Sequence, residues 1–315
     1  MNYVENKIYT GQPEYDRCFW DATRGRIRQE DKLLAGRIAG LGSYHVPDAA
    51  NTKFDRLLTQ ESLFRQYATT MTAYDTSYQI FAKYTDDLAL FVPEGGDIPI
   101  YEGIRDFETV AVGRYKLAAF TKLSEEFIHD AAFDIEDYLL SRFARNFGRA
   151  ETDAFINGTG EDLPTGILCS GKGAETAVTT DSVTYDDVIT LYFSLKPEYR
   201  SRAVWMMNDA TALHIKTLKD DNGNYLWREC DDTILGRKVV ISEFMPDMES
   251  GATPVVFGDF SYYWVITRSP LSIRVLSEKF ATVGQVGYLG FEFLDGKLIR
   301  REAMKAIQMN TADSE

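Results

Sequence analysis

Apolar residues recur along this chain with two different periods, and the changes between them mark its segments. Residues 1 to 50 hold no sustained amphipathic period beyond Asp31 to Ile38 and are dotted with Gly25, Gly36, Gly40 and Gly42. An extended arm with a little helix is expected there. Phe54, Leu57, Leu58 and Leu63 share one helical face, which predicts a short helix over Phe54 to Gln66. From Ser77 the period becomes two: Tyr78, Ile80 and Ala82 alternate with Gln79, Phe81 and Lys83. The apolar run Leu88 to Val92, with Phe91 near its end, is stopped by Pro93, Glu94, Gly95, Gly96 and Asp97, which is turn chemistry. Phe107 to Phe120 then returns as a β-rich segment. A two-stranded excursion of this kind is marginal in water by itself, so it calls for another subunit to lie on.

A long helix follows. Ser124, with Glu125 and Glu126 behind it, suits an N-cap, and Asp130 and Asp134 suit a restart after a break. Ile135, Leu139, Phe143, Phe147, Ala150 and Ala154 recur at steps of three and four, and Asn157-Gly158 offers a left-handed stop. About 24 residues at 1.5 Å each make a spine roughly 35 Å long. Beyond residue 176 strands and helices alternate. Val204 to Met207 is expected as a strand, Asn208-Asp209 as caps of a helix through Leu218, and Leu235-Gly236-Arg237 as a turn before the strand Lys238 to Ser242. Further strands are expected at Val255 to Phe257, Tyr263 to Thr267 and Ser272 to Leu276. A last hairpin is expected from Val286 to Met309, turning at Asp295-Gly296. The pattern argues an α+β fold.

Composition narrows the function. The 315 residues are 44% hydrophobic, with no apolar run near the length of a membrane span and no secretory h-region. No membrane partner is expected, and synthesis in the cytoplasm is. The net charge of −14 opposes tight nucleic-acid binding by the chain as a whole. Its local exception is Arg17 to Arg37, where Arg17, Arg24, Arg26, Arg28, Lys32 and Arg37 stand against Asp21, Glu30 and Asp31; a solvated mixed-charge face is the plainer reading. Cys18, Cys169 and Cys230 are far apart and form no CxxC pair.

No catalytic constellation emerges. His45, His129 and His214 lack metal-ligand spacing, and no GxSxG elbow exists. Asn157-Gly158-Thr159-Gly160 follows a helix rather than a strand, so it makes a poor phosphate loop. Asp220-Asp221-Asn222-Gly223 lacks the remaining ligands of a calcium loop. No enzyme activity, cofactor or metal is expected.

The motifs, taken in order, resemble the major capsid proteins of tailed phages with the Hong Kong 97-like fold. They include Tyr44-His45-Val46-Pro47, Pro93-Glu94-Gly95, Leu123 to Asp130, Asn157 to Gly160 with Pro164 to Ile167, Trp205 to Asn208, Gly223 to Trp227 and Phe257 to Phe260. Together they span about residues 42 to 310. The resemblance implies an N-terminal arm (1–50) and a peripheral domain (51–175) carrying an extended loop at about 77–118 and the spine helix at about 134–157. An axial domain (176–271) and a return to the peripheral domain (272–315) complete the implied plan. It also implies assembly of many copies as hexamers and pentamers into an icosahedral shell, with a portal, around double-stranded DNA held by weak, non-specific contact. Assembly candidates are then Phe91, Pro93, Glu94, Gly95, Gly96 and Asp97 on the loop, and the spine face Ile135, Leu139, Phe143 and Phe147. Some relatives join subunits covalently through a lysine on this loop; no lysine lies between Lys83 and Lys116, so a non-covalent shell is expected. About 40 residues precede Gly42, too few for a long cleaved scaffolding segment, so either a separate scaffolding protein or a processed form of the chain is expected. An encapsulin-like nanocompartment shell is the nearest alternative, and a soluble α+β hydrolase a remote one.

Overall fold

The computed structural model describes residues 10–26, 45–73, 78–82, 91–93, 97, 107–130, 133–220, 222–227 and 232–311. Helix Pro13–Thr23 (α1) comes first, then Asp48–Glu61 (α2) and Leu63–Tyr67 (α3). Strand Thr69–Thr72 (β1) precedes the pair Tyr78–Ala82 (β2) and Phe107–Ala111 (β3), then Tyr115–Ser124 (β4). The short helix Glu125–His129 (α4) and the long helix Ile135–Asn157 (α5) follow. The next stretch holds Glu175–Thr180 (β5), Tyr185–Ser194 (α6), Pro197–Arg200 (α7), Val204–Met207 (β6) and Asp209–Thr217 (α8). Thr233–Ile234 (β7), Arg237–Ile241 (β8), Val255–Gly258 (β9), Tyr263–Leu276 (β10), Gln285–Leu298 (β11) and Met304–Met309 (β12) complete it.

Among the described residues the strands form three sheets: β1-β10-β11-β4, β5-β12-β9-β6-β8-β7, and the separate pair β2-β3. Helices α2 and α5 cover one face of the four-stranded sheet. Phe54 and Leu58 of α2 meet Ile135, Leu139, Phe143 and Phe147 of α5 over Ile273 and Tyr288 of the sheet, all of them buried. Gly290 on β11 lets the spine helix approach the sheet, since a Cβ there would lie 3.0 Å from the Phe143 ring. In the six-stranded sheet β6 and β9 are buried at every position, so they read as unbroken apolar runs with both faces covered. Trp205, Phe257 and Ile307 face one core. Met206 and Val256 face another, shared with Phe155 of α5 and with Tyr263 and Leu294 of the four-stranded sheet. That shared core joins the two sheets.

Local chemistry explains the element ends. Ser124 accepts from Phe127 N–H, and Asp134 from the N–H groups of Glu136 and Asp137, so the two expected caps start α4 and α5. Asn208 caps α8 by accepting from Thr211 N–H at 2.8 Å. Thr184 and Asp187 form a capping box on α6, a helix the sequence reading did not place. Leu235 and Gly236 both have positive φ, the geometry of the tight turn between β7 and β8.

Several expectations need correction. The first 50 residues are not simply an arm: α1 buries Tyr15, Cys18, Phe19 and Trp20 against the spine helix core. The Asp31 to Ile38 stretch lies outside the described residues. Ala150 is exposed on α5 and Ala154 half-buried; the buried stripe passes instead through Glu151, Thr152, Phe155 and Ile156. Gly158 is extended (φ −63°), not left-handed. Glycine is required there because a Cβ would sit 2.0 Å from the Pro164 carbonyl oxygen. Tyr263 to Leu276 is one bulged strand rather than two. Asp295-Gly296 is not a turn: β11 runs straight through it, with Asp295 opposite Ile266 and Gly296 opposite Val265. The strand after it, β12, crosses to the six-stranded sheet between β5 and β9. The expected division at 271/272 therefore falls inside β10, and only β10 and β11 return to the four-stranded sheet.

Candidate assembly surfaces

The ribbon β2-β3 is antiparallel, with Tyr78 opposite Ala111 and Ala82 opposite Phe107. Its base is pinned. Asp295, fully buried on β11, accepts from Gly113 N–H at 2.5 Å and from Gly296 N–H at 2.8 Å. Lys297 lies 3.6 Å from the same carboxylate and donates to the Ala111 carbonyl, the last residue of β3. Val112 and Ala73, one at each root of the ribbon, are buried with Ile266 against Met71 and Trp264. Burial pushes the Asp295 carboxyl above its usual range, while the Gly113 N–H and Lys297 pull it back. A strand with a misleading Asp-Gly pair thus supplies a polar clamp at the place where the ribbon leaves the body.

The outward face of the four-stranded sheet is aromatic and cationic. In Tyr115–Ser124 every second residue points outward, putting Lys116, Ala118, Phe120 and Lys122 on that face. Gly287, Leu289, Phe291 and Phe293 of β11 stand opposite them in register. Arg114 lies 4.4 Å from the Phe293 ring centre, Lys116 4.9 Å from Phe291, and Lys122 5.4 Å from Phe280. Arg274 and Lys279 add two more such contacts. Each is worth about 0.5–1 kcal/mol at an exposed site.

Of the residues expected to mediate assembly, Phe91 is fully exposed, and Pro93 and Asp97 are exposed. Glu94, Gly95 and Gly96 lie outside the described residues. Ile135, Leu139, Phe143 and Phe147 come together, but inside the subunit, where each is 1% exposed or less. They hold the spine to the sheet and present nothing to a neighbour. The same seam carries a buried charge cluster. Arg65 of α3 makes two hydrogen bonds to Glu151 of α5, at 2.6 and 2.8 Å, and lies 3.4 Å from Glu292 of β11. Burial holds the Glu292 carboxyl well above its ordinary range; Arg65 opposes this and the neighbouring Glu151 reinforces it. Asp220 accepts from the N–H groups of Asn222 and Asn224 and so organises its own turn. No described helix is long and apolar enough to cross a membrane.

Sequence reasoning missed the Asp295–Lys297 clamp, because Asp-Gly normally signals a turn. It also missed the sheet face, although Lys116, Phe120 and Lys122 carry the period-two signal that reveals it.

The family model described as "Phage capsid family" matches residues 42–309, which takes in both sheets, the ribbon and the spine helix. The chain belongs to the phage capsid family. As a capsid protein it has solved counterparts of the same mixed helix-and-sheet, Hong Kong 97-like fold. It is similar to the capsid of a native GTA particle, at 28% identity and TM-score 0.61, over 79% of this chain and 90% of that one. The capsid of an empty GTA particle matches at 28% identity and TM-score 0.65, over 80% and 90%. A protein of Gordonia phage Cozz shares the fold at 11% identity and TM-score 0.57, over 80% and 87%. No curated protein matched. The capsid protein is thus a structural component of a shell built from many copies.

Proposed function

We propose that this chain is the major head protein of a tailed phage or phage-like particle. On this reading it assembles in the host cytoplasm as hexamers and pentamers into an icosahedral shell that encloses double-stranded DNA. The peripheral domain would be the four-stranded sheet with α2 and α5, and the axial domain the six-stranded sheet. A separate scaffolding protein and a portal complete the partners of this reading.

The observation that carries it is a ribbon whose strands pair only with each other, together with a sheet face on which Lys116, Phe120 and Lys122 are exposed, both among the described residues. β2 and β3 pair only with each other among the described residues, an arrangement that is marginal unless something lies against it. The segment linking and ending these strands bears Asp86, Asp87, Glu94, Asp97, Glu102, Asp106 and Glu108 against two cations, Lys83 and Arg105. The outward sheet face bears Arg114, Lys116, Lys122, Arg274 and Lys279 over aromatic rings. An acidic ribbon from one copy and a cationic aromatic face on the next are complementary, and such complementarity sets orientation and register between subunits. With no lysine between Lys83 and Lys116, the contact is held by packing and charge rather than by a lysine-mediated bond.

The test reverses the charge. Lys116→Glu with Lys122→Glu should yield folded subunits that no longer close shells in electron micrographs. Adding Glu94→Lys and Asp97→Lys to the same chain should restore closure. Shells that persist through the first pair of substitutions would refute this contact.

A further inference from the structure

The solvent face of the spine helix carries a second cationic surface of a different kind. Along α5 the burial pattern repeats two buried, two exposed, so Ser141, Arg142, Arg145, Asn146 and Arg149 all lie on the exposed side. Arg142 and Arg149 stand two helical turns apart, about 10 Å along the axis, with Arg145 between them. Between Asp137 and Asp153 this face holds no carboxylate. The acids at its N-terminal end are already engaged: Asp134 caps the helix, and Asp137 lies 3.3 Å from Lys53. Arg142 donates to the Tyr138 hydroxyl at 3.1 Å. Arg142 and Arg145 form no ion pair among the described residues. Arg149 meets Glu243 at 3.1 Å, but both side chains are more than half exposed, so the pair is worth little and is readily exchanged.

We infer that this arginine stripe is the surface through which the shell wall touches the phosphates of enclosed DNA. Three features favour a nucleic acid over a protein partner. The stripe lines a shallow, open depression of about 680 Å³ whose walls carry one aromatic side chain, Tyr138, and no aliphatic one. Protein interfaces need an apolar core with anchoring side chains, whereas nucleic-acid interfaces are polar and positively charged. The cations are all arginines, whose planar fork matches a phosphate in a way an ammonium does not. The footprint is also short. With net charge −14 on the chain, three guanidiniums give contact without a strong grip, as a wall needs if DNA is to move past it. The Arg17 to Arg37 stretch offers less where it is described, because Arg24 and Arg26 donate to the backbone carbonyls of Phe133 and His129. The inference rests on the reading of the chain as the wall of a DNA-filled shell.

The experiment titrates the full-length, unassembled chain with a short fluorescent DNA duplex at several salt concentrations, and images the same preparations after assembly. Three phosphate contacts predict a log–log salt slope of about −2.7, or about a 40-fold loss of affinity between about 50 and 200 mM salt. Arg142→Gln, Arg145→Gln and Arg149→Gln together should bring the slope close to zero and weaken binding at least about tenfold at low salt. The same variant should still form normal shells. Lys116→Gln with Lys122→Gln, on the other cationic face, should leave the slope unchanged. A triple variant that keeps the wild-type slope overturns the inference, and so does a wild-type chain with no salt-dependent binding. A triple variant that melts normally but fails to form shells also overturns it, by making the stripe a contact between copies. Failure of the shell reading itself would show separately, as a wild-type chain that makes no particles.

Discussion

Replacing Arg65 with methionine probes the seam that joins the spine helix to the sheet. Arg65 is the sole cation hydrogen-bonded to Glu151 among the described residues, and the side chains of Arg65, Glu151 and Glu292 are 7%, 0% and 2% exposed. Methionine keeps much of the packing volume and removes the charge, so Glu151 is left buried beside Glu292 with no cation. Breaking a buried pair from one side costs about 3–5 kcal/mol, because the remaining charge keeps its desolvation penalty and loses its compensation. With a urea slope of about 3 kcal/mol per molar for a chain of this size, the unfolding midpoint of the unassembled subunit should fall by about 1 M or more. The pH dependence has a definite sign. Removing Arg65 takes away the charge that opposes the burial-raised folded-state pKa of Glu292, so stability is retained in acid and lost as pH rises through that folded pKa. The deficit should be large near about pH 8 and should shrink towards about pH 5. Glu292, already raised in the native protein, gives the wild type a weaker decline in the same direction, and Glu292→Gln should flatten it. Adding Glu151→Leu to Arg65→Met should recover most of the loss, since the orphaned charge is gone. A deficit under about 1 kcal/mol near pH 8, or one that grows on acidification, would refute this account of the seam.

Two further outcomes are expected. Asp295→Ala leaves the Gly113 and Gly296 N–H groups without their acceptor and should cost about 2–4 kcal/mol in urea melts, with faster amide exchange at Gly113. Asp295→Asn keeps an acceptor for one of the two N–H groups but turns its amide NH2 towards the other, so it should cost about 1–2 kcal/mol, less than alanine; equal losses would contradict the clamp. Mature particles boiled in denaturant should run as single subunits on gels, and a ladder of linked subunits would contradict a shell held by packing and charge.

How much of this was legible in the sequence depended on whether the governing interaction was local. The spine helix could be placed because Ile135, Leu139, Phe143 and Phe147 follow the helical period and Asp134 caps it. The ribbon could be placed because alternation and turn residues are also local. Helix α1 was obscured although Tyr15, Cys18, Phe19 and Ala22 are spaced as a helical face, because Asp16, Arg17 and Asp21 fall among them and nearby glycines suggested an arm. Asp295-Gly296 misled for the opposite reason. Its local signal is a turn, but the glycine is there because a Cβ would come within 2.5 Å of the Phe155 ring and the Tyr263 hydroxyl. The aspartate is there to hold a backbone amide from a strand end 182 residues away. The position of β12 in the second sheet, and therefore the true limits of the two sheet units, is set by long-range pairing with β5 and β9 that no local pattern encodes. Of the loop candidates, Phe91, Pro93 and Asp97 are exposed, in keeping with the turn chemistry around them. The cationic sheet face required the register of β4 on β11 before its rings and charges came together.

Electron microscopy of the purified full-length chain tests the central claim most directly, because closed shells and isolated subunits cannot be confused. The account predicts closed particles whose walls resolve into hexamers and pentamers, with the ribbon of each copy lying across the aromatic, cationic sheet face of its neighbour. A population of well-folded monomers that never associates, or shells in which that face stays bare, would contradict it.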